Sequence, residues 1–363
     1  MTMNQMNVRL VIVLLICVSI PCLGWNPSTI GRNTKVVSLQ SNLRMSAQDG
    51  VENNNNDIVN DIVNDDDKSG VLQVTVVGGT GFVGSRVCQI LTARGASVRS
   101  ISKSGTVPKW CRNDDWSSKV TWSAVDLLDA TPSAMDEAMG DQPDAVVSCV
   151  GVIGTDPDFL KQGNGDANVA AFESAKRVGA KRAAFISVSS ELLACREDFL
   201  PEFMGSYFDG KEAAEIAAAD AVGPDSLTIL KPTFVYGGNS FGINPPRVTS
   251  EYGSIIDQLL SLPPIQICAD LLPGMVKVAL RPPVSVDALA GACAAAAMGT
   301  LAPDSDGGPL ILDGTKAINA VMKTPPSTGL VDAIVREFNW IMDTSGKVAN
   351  WMGARLKEQA MSK

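Results

Sequence analysis

Glycines recur within Gly78-Gly79-Thr80-Gly81-Phe82-Val83-Gly84 at spacings that match both G-x-x-G-x-x-G and G-x-G-x-x-G. An apolar, β-branched run precedes them and an amphipathic segment follows, which predicts strand, tight turn and helix. In that context one glycine permits the turn, one lets the backbone approach a pyrophosphate, and Gly84 lets helix and strand pack closely. The helix N-terminus then offers free N–H groups and a positive dipole end to the phosphates. A glycine-rich turn between buried elements is the plainer alternative. No Lys follows Gly84, which excludes a Walker-type loop. A second constellation is Tyr207 and Lys211, four residues apart and so on one face of a predicted helix. An unperturbed phenol titrates near pH ~10, so proton transfer through Tyr207 at neutrality requires a fixed neighbouring cation.

The elements that must position these residues follow in order. Strand-like runs at residues 71–77, 98–101, 120–125, 145–151, 183–188 and 227–230 alternate with helical patterns at 132–139, 164–178 and 205–219. That alternation predicts an α/β fold, a doubly wound parallel sheet with helices on both faces and a small C-terminal cap. The Pro- and Gly-rich residues 238–283 read as an irregular cap segment on the substrate side. Residues 284–286 read as a short strand, with Asp287 as N-cap of an Ala-rich helix. The domain is expected to close at 313, and 314–363 to hold a linker (316–329) and an amphipathic stretch with Ile334, Phe338, Ile341, Trp351 and Leu356.

Composition narrows the chemistry. The 363 residues are 45% hydrophobic, enough for a sizeable core, and the formal charge of −9 argues against nucleic acid as a partner. There is no His, so Ser-His-Asp catalysis, Cys-His catalysis and His-ligated metal are excluded, and no metal is expected. The eight cysteines form no C-x-x-C pair and suit a reducing compartment. Residues 1–24 carry an apolar core too short to span a bilayer and read as a signal peptide, a membrane anchor being the alternative. Residues 25–48 are rich in Ser, Thr and Asn, carry Arg32, Lys35 and Arg44, and read as a transit-like segment. Residues 49–70 are acidic and low in complexity, a disordered linker. Such a two-part leader resembles those of plastids acquired by secondary endosymbiosis, so a plastid location is expected, with the mitochondrion as the alternative.

Taken together, the glycine run, Asp126-Leu127, Asn168-Val169, Tyr207-Phe208-Asp209-Gly210-Lys211, Lys231-Pro232-Thr233-Phe234-Val235-Tyr236-Gly237 and Pro282-Pro283-Val284-Ser285-Val286-Asp287 are similar to an atypical or extended short-chain dehydrogenase/reductase with an NAD(P)-binding Rossmann domain. The branch it resembles includes the Rossmann accessory subunit of respiratory complex I, a protein of coenzyme Q synthesis, and plastid relatives. The resemblance implies that Lys211 lowers the Tyr207 pKa and holds the ribose, while Tyr207 exchanges a proton as hydride moves. It also implies a Ser at the end of the fifth strand that polarises the substrate oxygen; Ser187, Ser189 and Ser190 lie there, and Ser189 is preferred because it follows the strand end. Cofactor contacts are expected at Gly78, Gly79, Thr80, Gly81, Phe82, Val83, Gly84, Ser102, Lys103, Asp126, Leu127, Val150, Gly151, Lys211 and Pro232.

Arg99, Ser100, Ser102, Lys103 and Ser104 stand where an NAD enzyme usually places an acid, so NADP is expected as cofactor and NAD is the alternative. A solvated basic loop would carry the same residues. Two functions follow: an NADP-dependent oxidoreductase of an organelle acting on a small or isoprenoid, quinone-related substrate, or a catalytically silent nucleotide-binding accessory subunit peripheral to a membrane or quinone-linked complex. A sugar-nucleotide epimerase ranks third, because the cap looks short for one.

Overall fold

A computed structural model describes residues 70–322 apart from 198–199, 239–241, 244–245 and 303–306. The leader, the acidic linker and the amphipathic stretch beyond 322 lie outside the described residues.

Seven parallel strands form the sheet: β1 (Gln73–Val77), β2 (Ser97–Ser102), β3 (Val120–Ala124), β4 (Ala145–Ser148), β5 (Ala183–Ile186), β6 (Leu227–Lys231) and a last strand, Leu310–Asp313. Their spatial order is last strand, β6, β5, β4, β1, β2, β3. The chain therefore starts mid-sheet, winds out through β2 and β3, then returns to β4 beside β1 and winds the other way. The doubly wound α/β class is the one the sequence predicts. The reversal leaves a crevice outside the carboxyl ends of β1 and β4, where ligands bind in such sheets.

Helices α1 (Gly84–Ala93), α2 (Pro132–Met139), α3 (Pro157–Lys161), α4 (Ala167–Arg177), α5 (Ser190–Leu193) and α6 (Met204–Val222) link these strands. Successive β1 residues show why both faces need helices. Val76 packs with Val87 and Leu91 of α1 and with Leu289 and Cys293 further along the chain. Val77 packs with Met139 and Ala171 on the other face. Phe172, Phe185, Ala214 and Ile229 continue that second layer between α4, α6 and the sheet.

Three short helices, α7 (Ser250–Leu260), α8 (Pro263–Leu271) and α9 (Gly274–Ala279), occupy most of the segment expected to be irregular. That segment's prolines start helices rather than prevent them: α8 has Pro within its first turn. Two-residue strands β7 (Val235–Tyr236), β8 (Gly242–Ile243), β9 (Pro246–Arg247) and β10 (Val284–Ser285) surround them, and β10 pairs with β7 outside the main sheet. The last sheet strand is β11, which sequence reading did not single out although Leu310, Ile311 and Leu312 are all apolar; of its four residues only Leu312 is buried.

Two further expectations fail. The N-cap of α10 (Val286–Ala297) is Ser285, whose hydroxyl accepts from the Ala288 N–H at 3.1 Å; Asp287 sits inside the first turn. The start of the expected linker is α11 (Gly314–Met322), held because Ile318 is fully buried and Met322 lies over Gly291 of α10.

Candidate nucleotide and catalytic site

The first wall of the crevice is the turn from β1 to α1. Gly78 has φ +80°, a left-handed conformation that favours glycine, and its N–H donates to Ile101 O at 2.7 Å. A Cβ on Gly84 would lie 2.2 Å from Gly78 O, so α1 and the turn touch backbone to backbone. Gly81 differs: it is exposed, and a Cβ there would meet only Gly78 O, at 3.0 Å. No side chain caps α1. Among the described residues the amides of Val83 and Gly84 have no acceptor. Unused N–H donors at a helix N-terminus beside an open glycine make a cradle for an anion. The residues present therefore fit a dinucleotide pyrophosphate. Phe82 leans toward the cap: a Cβ on Gly238 would be 3.7 Å from its ring.

The second wall follows β4. Val150 and Gly151 leave the strand, and Val152 is gripped by Asn164, which accepts its N–H at 3.1 Å and donates to its carbonyl at 3.0 Å. Asn164 sits in a π-helical turn (Gln162–Asp166) between α3 and α4, an irregularity found often at functional sites. Sequence reading placed Asn164 at the start of a helix and gave it no role. Asn in a Gly-Asn-Gly run was the available signal. Nearby, Ser148 and Asn168 are hydrogen-bonded at 2.5 Å beneath the same loop.

α6 brings the Tyr207–Lys211 pair to this wall. Its Gly210 packs against Gly165 so closely that a Cβ would come within 2.8 Å of backbone, and this close crossing sets the depth of the next residue, Lys211. Lys211 is 4% exposed, donates to Ile186 O at 2.9 Å and Val150 O at 3.2 Å, and lies 4.9 Å from the centre of the Phe185 ring. Burial pulls its ammonium down to about 8.

Tyr207 corrects an expectation. Its phenol is pushed up to about 12 by burial, not lowered by Lys211. The ammonium is turned to the carbonyl ends of β4 and β5, and among the described residues the Tyr207 hydroxyl has no hydrogen-bond partner; its ring stacks edge-on against Phe208 at 5.4 Å. Ser189 follows β5 as expected, is 1% exposed, and caps α5 by accepting the Leu192 N–H at 3.4 Å, which leaves its own proton free to donate. Its N–H donates to Pro232 O at 3.2 Å, tying the ends of β5 and β6 together. Ser187 points elsewhere, to Glu215.

At the far end of the crevice Lys103 follows β2 and pairs with Asp126 at 2.6 Å. The Lys103 ammonium holds the Asp126 carboxyl below the usual carboxylate range, and Asp126 in turn raises Lys103. Ser102 is committed to the Gly105 N–H at 3.1 Å, and Leu127 packs in the cluster that contains Val77 and Ile101. Arg99 does not join this group. It lies mid-strand against Gly140, at the other end of the sheet.

The chain is similar to an uncharacterized chloroplastic protein of Arabidopsis thaliana, At1g32220, 34% identical over 231 residues that span 60% of this chain and 69% of that protein. A shorter stretch, 80 residues at 32% identity, is similar to MIOREX complex component 2 of Saccharomyces cerevisiae and spans 22% of this chain and 28% of that one. Among solved structures, the Bacillus cereus UDP-glucuronic acid 4-epimerase in complex with NAD is similar at 18% identity, with TM-score 0.45 over 72% of this chain and 93% of that one. The family model described as NAD dependent epimerase/dehydratase matches residues 74–270, a span that runs from β1 to α8 and takes in the glycine turn, Tyr207 and Lys211. With more than half of its length inside that match, the chain belongs to the NAD dependent epimerase/dehydratase family.

Proposed function

We propose that this protein is an NADP-dependent oxidoreductase of a plastid, acting on an uncharged small or isoprenoid, quinone-related substrate. The observation that carries the reading is the meeting, at the β1/β4 reversal, of an uncapped α1 N-terminus and a buried Lys211 ammonium. The first would hold the pyrophosphate, and the second the ribose hydroxyls. NADP, when bound, would supply the hydride chemistry. Lys103, 83% exposed at its side chain and facing Asp126, is the cation available to a 2′-phosphate. Ser189 would donate to the substrate oxygen, and Tyr207 would exchange the proton once Lys211 and the ribose lie beside it. Support for an uncharged substrate comes from the cap, whose Arg281 and Lys277 are already paired with Glu191 and whose Arg281 also bonds Asp270. The plastid location rests on the leader pattern and on the chloroplastic relative.

The second reading, a silent nucleotide-binding accessory subunit of a quinone-linked membrane complex, has one observation in its favour. A phenol pushed up to about 12 is a poor base at neutral pH. One experiment separates the readings: NADPH and NADH titrations by fluorescence, followed by NADPH oxidation with short-chain quinones and prenyl ketones. Preferential NADPH binding with turnover supports the enzyme. Binding with no turnover on any of these acceptors favours the accessory subunit, and no binding of either nucleotide overturns both.

A further inference from the structure

The charged groups behind the site include one half-buried carboxylate that the mechanism above does not use. Tyr207, Lys211 and Glu215 fall at successive four-residue steps of α6 and share one face. Glu215 accepts from the Ser187 hydroxyl, which follows the end of β5, and pairs with Lys231 of β6 at 3.1 Å. Ser187 and Lys231 are 4% and 8% exposed. The residue before Ser187 is Ile186, whose carbonyl receives Lys211 Nζ at 2.9 Å. One strand end is thus gripped twice by α6, once through Glu215 and once through Lys211.

We propose that Glu215 is a positioning residue for Lys211: clamped by Ser187 and Lys231, its carboxylate holds the neighbouring ammonium as a cation at the crevice floor. The groups facing Lys211 are few. From α6 it is Glu215, with Tyr207 one turn back on the same helix face, and from the end of β4 the Cys149 thiol and the Val150 carbonyl. From β5 they are the Phe185 ring and the Ile186 carbonyl, with Lys231 of β6 beyond Glu215. The Asn164 amide oxygen borders Gly151 on the other side of Lys211. Glu215 is the carboxylate of this set. It pairs with Lys231 and lies one helical turn from Lys211 on the same face of α6, so removing Glu215 or Lys231 must act on Lys211 in opposite directions. Without the carboxylate, Lys211 keeps the two carbonyls, the Phe185 ring and the neighbouring Cys149 against the cost of burial and loses its proton more readily. Without Lys231, the carboxylate is left to Lys211 alone, which then holds its proton more tightly.

The catalytic meaning rests on the reading that Lys211 holds the ribose, but the test does not need nucleotide. Titration of ¹³C,¹⁵N-lysine-labelled full-length protein by NMR follows the Lys211 resonance, assigned by its disappearance in Lys211→Met. The expected result is a midpoint lowered by about one pH unit in Glu215→Gln and raised by a similar amount in Lys231→Met, the usual scale for one nearby charge. An unchanged midpoint in Glu215→Gln, or shifts of the same sign in both variants, overturns the proposal. If Glu215→Gln does not fold, Lys231→Met decides alone: a raised midpoint supports the proposal, an unchanged or lowered one defeats it. Nucleotide titrations on the same samples separate the two levels, because wild type that binds no nucleotide removes the ribose reading while the NMR result still stands.

Discussion

Gly81 and Gly84 stand in one turn, yet the structure assigns them different work, and exchanging each for Ala tells the two apart. A Cβ at Gly84 would sit 2.2 Å from Gly78 O and 2.9 Å from Gly79 Cα. A carbon–oxygen contact normally rests near ~3.3 Å, so the turn and α1 must part by about 1 Å. Both partners are backbone, and Gly84 is buried, so no side chain can swing aside. Overpacking of this kind costs roughly 1–3 kcal/mol, and a backbone clash belongs at the upper end. For a domain of this size that lowers Tm by roughly 6–12 °C. Gly81 is exposed and has no positive φ, and its Cβ would meet one carbonyl at 3.0 Å. Gly81→Ala should keep Tm close to wild type while its methyl blocks the phosphate cradle, a loss of roughly ten- to a hundredfold in affinity. Thermal unfolding by circular dichroism and NADPH titration by fluorescence read the two effects separately. A Gly84→Ala protein with wild-type Tm, or a Gly81→Ala protein with wild-type affinity, would refute the reasoning.

Four further outcomes are expected. Lys103→Ala should weaken NADPH about tenfold and leave NADH almost unchanged, whereas Asp126→Asn, by releasing Lys103 from its ion pair, should tighten NADPH; equal effects on both nucleotides in titration would exclude Lys103 as the discriminator. Tyr207→Phe should keep nucleotide affinity, since its hydroxyl holds no hydrogen bond among the described residues, and lower any reductase rate by roughly 10²–10⁴-fold; a fully active Tyr207→Phe would point to the accessory role. The carboxyls of Asp136, beside Arg177, of Asp144, bonded to the Gln73 N–H and Lys181, and of Glu191, beside Arg281, are all held below their ordinary values. Their stabilisation is therefore complete above the unfolded carboxylate pKa of about 4 and is lost as pH falls through their folded values, so Tm should drop below about pH 4; a Tm flat through that range would contradict the pairing. A fluorescent fusion of residues 1–60 should enter a plastid, and retention in the endoplasmic reticulum or arrival in mitochondria would defeat the leader reading.

The sequence alone determined the architecture because its signals there are local. β-branched runs, glycine turns and alternating helices specify a parallel sheet whichever partners they later meet, so the first six strands and the glycine cradle were legible. The Tyr207–Lys211 spacing was legible too, since helical geometry alone brings residues four apart onto one face. Only the tertiary structure decided what depends on distant segments. Lys211 turns to Val150 O and Ile186 O, from two strands remote in sequence, and so cannot be read as the cation beside Tyr207. Lys103 and Asp126 looked like separate ligands of one nucleotide until folding placed them 2.6 Å apart. β11 carries the apolar run Leu310-Ile311-Leu312, yet only Leu312 is buried, and its place at the sheet edge comes from pairing with the sequence-remote β6. Asn164 acquired its role from a π-turn in which Gly165 meets Gly210 of α6 backbone to backbone, a contact between residues 45 positions apart that no local pattern encodes.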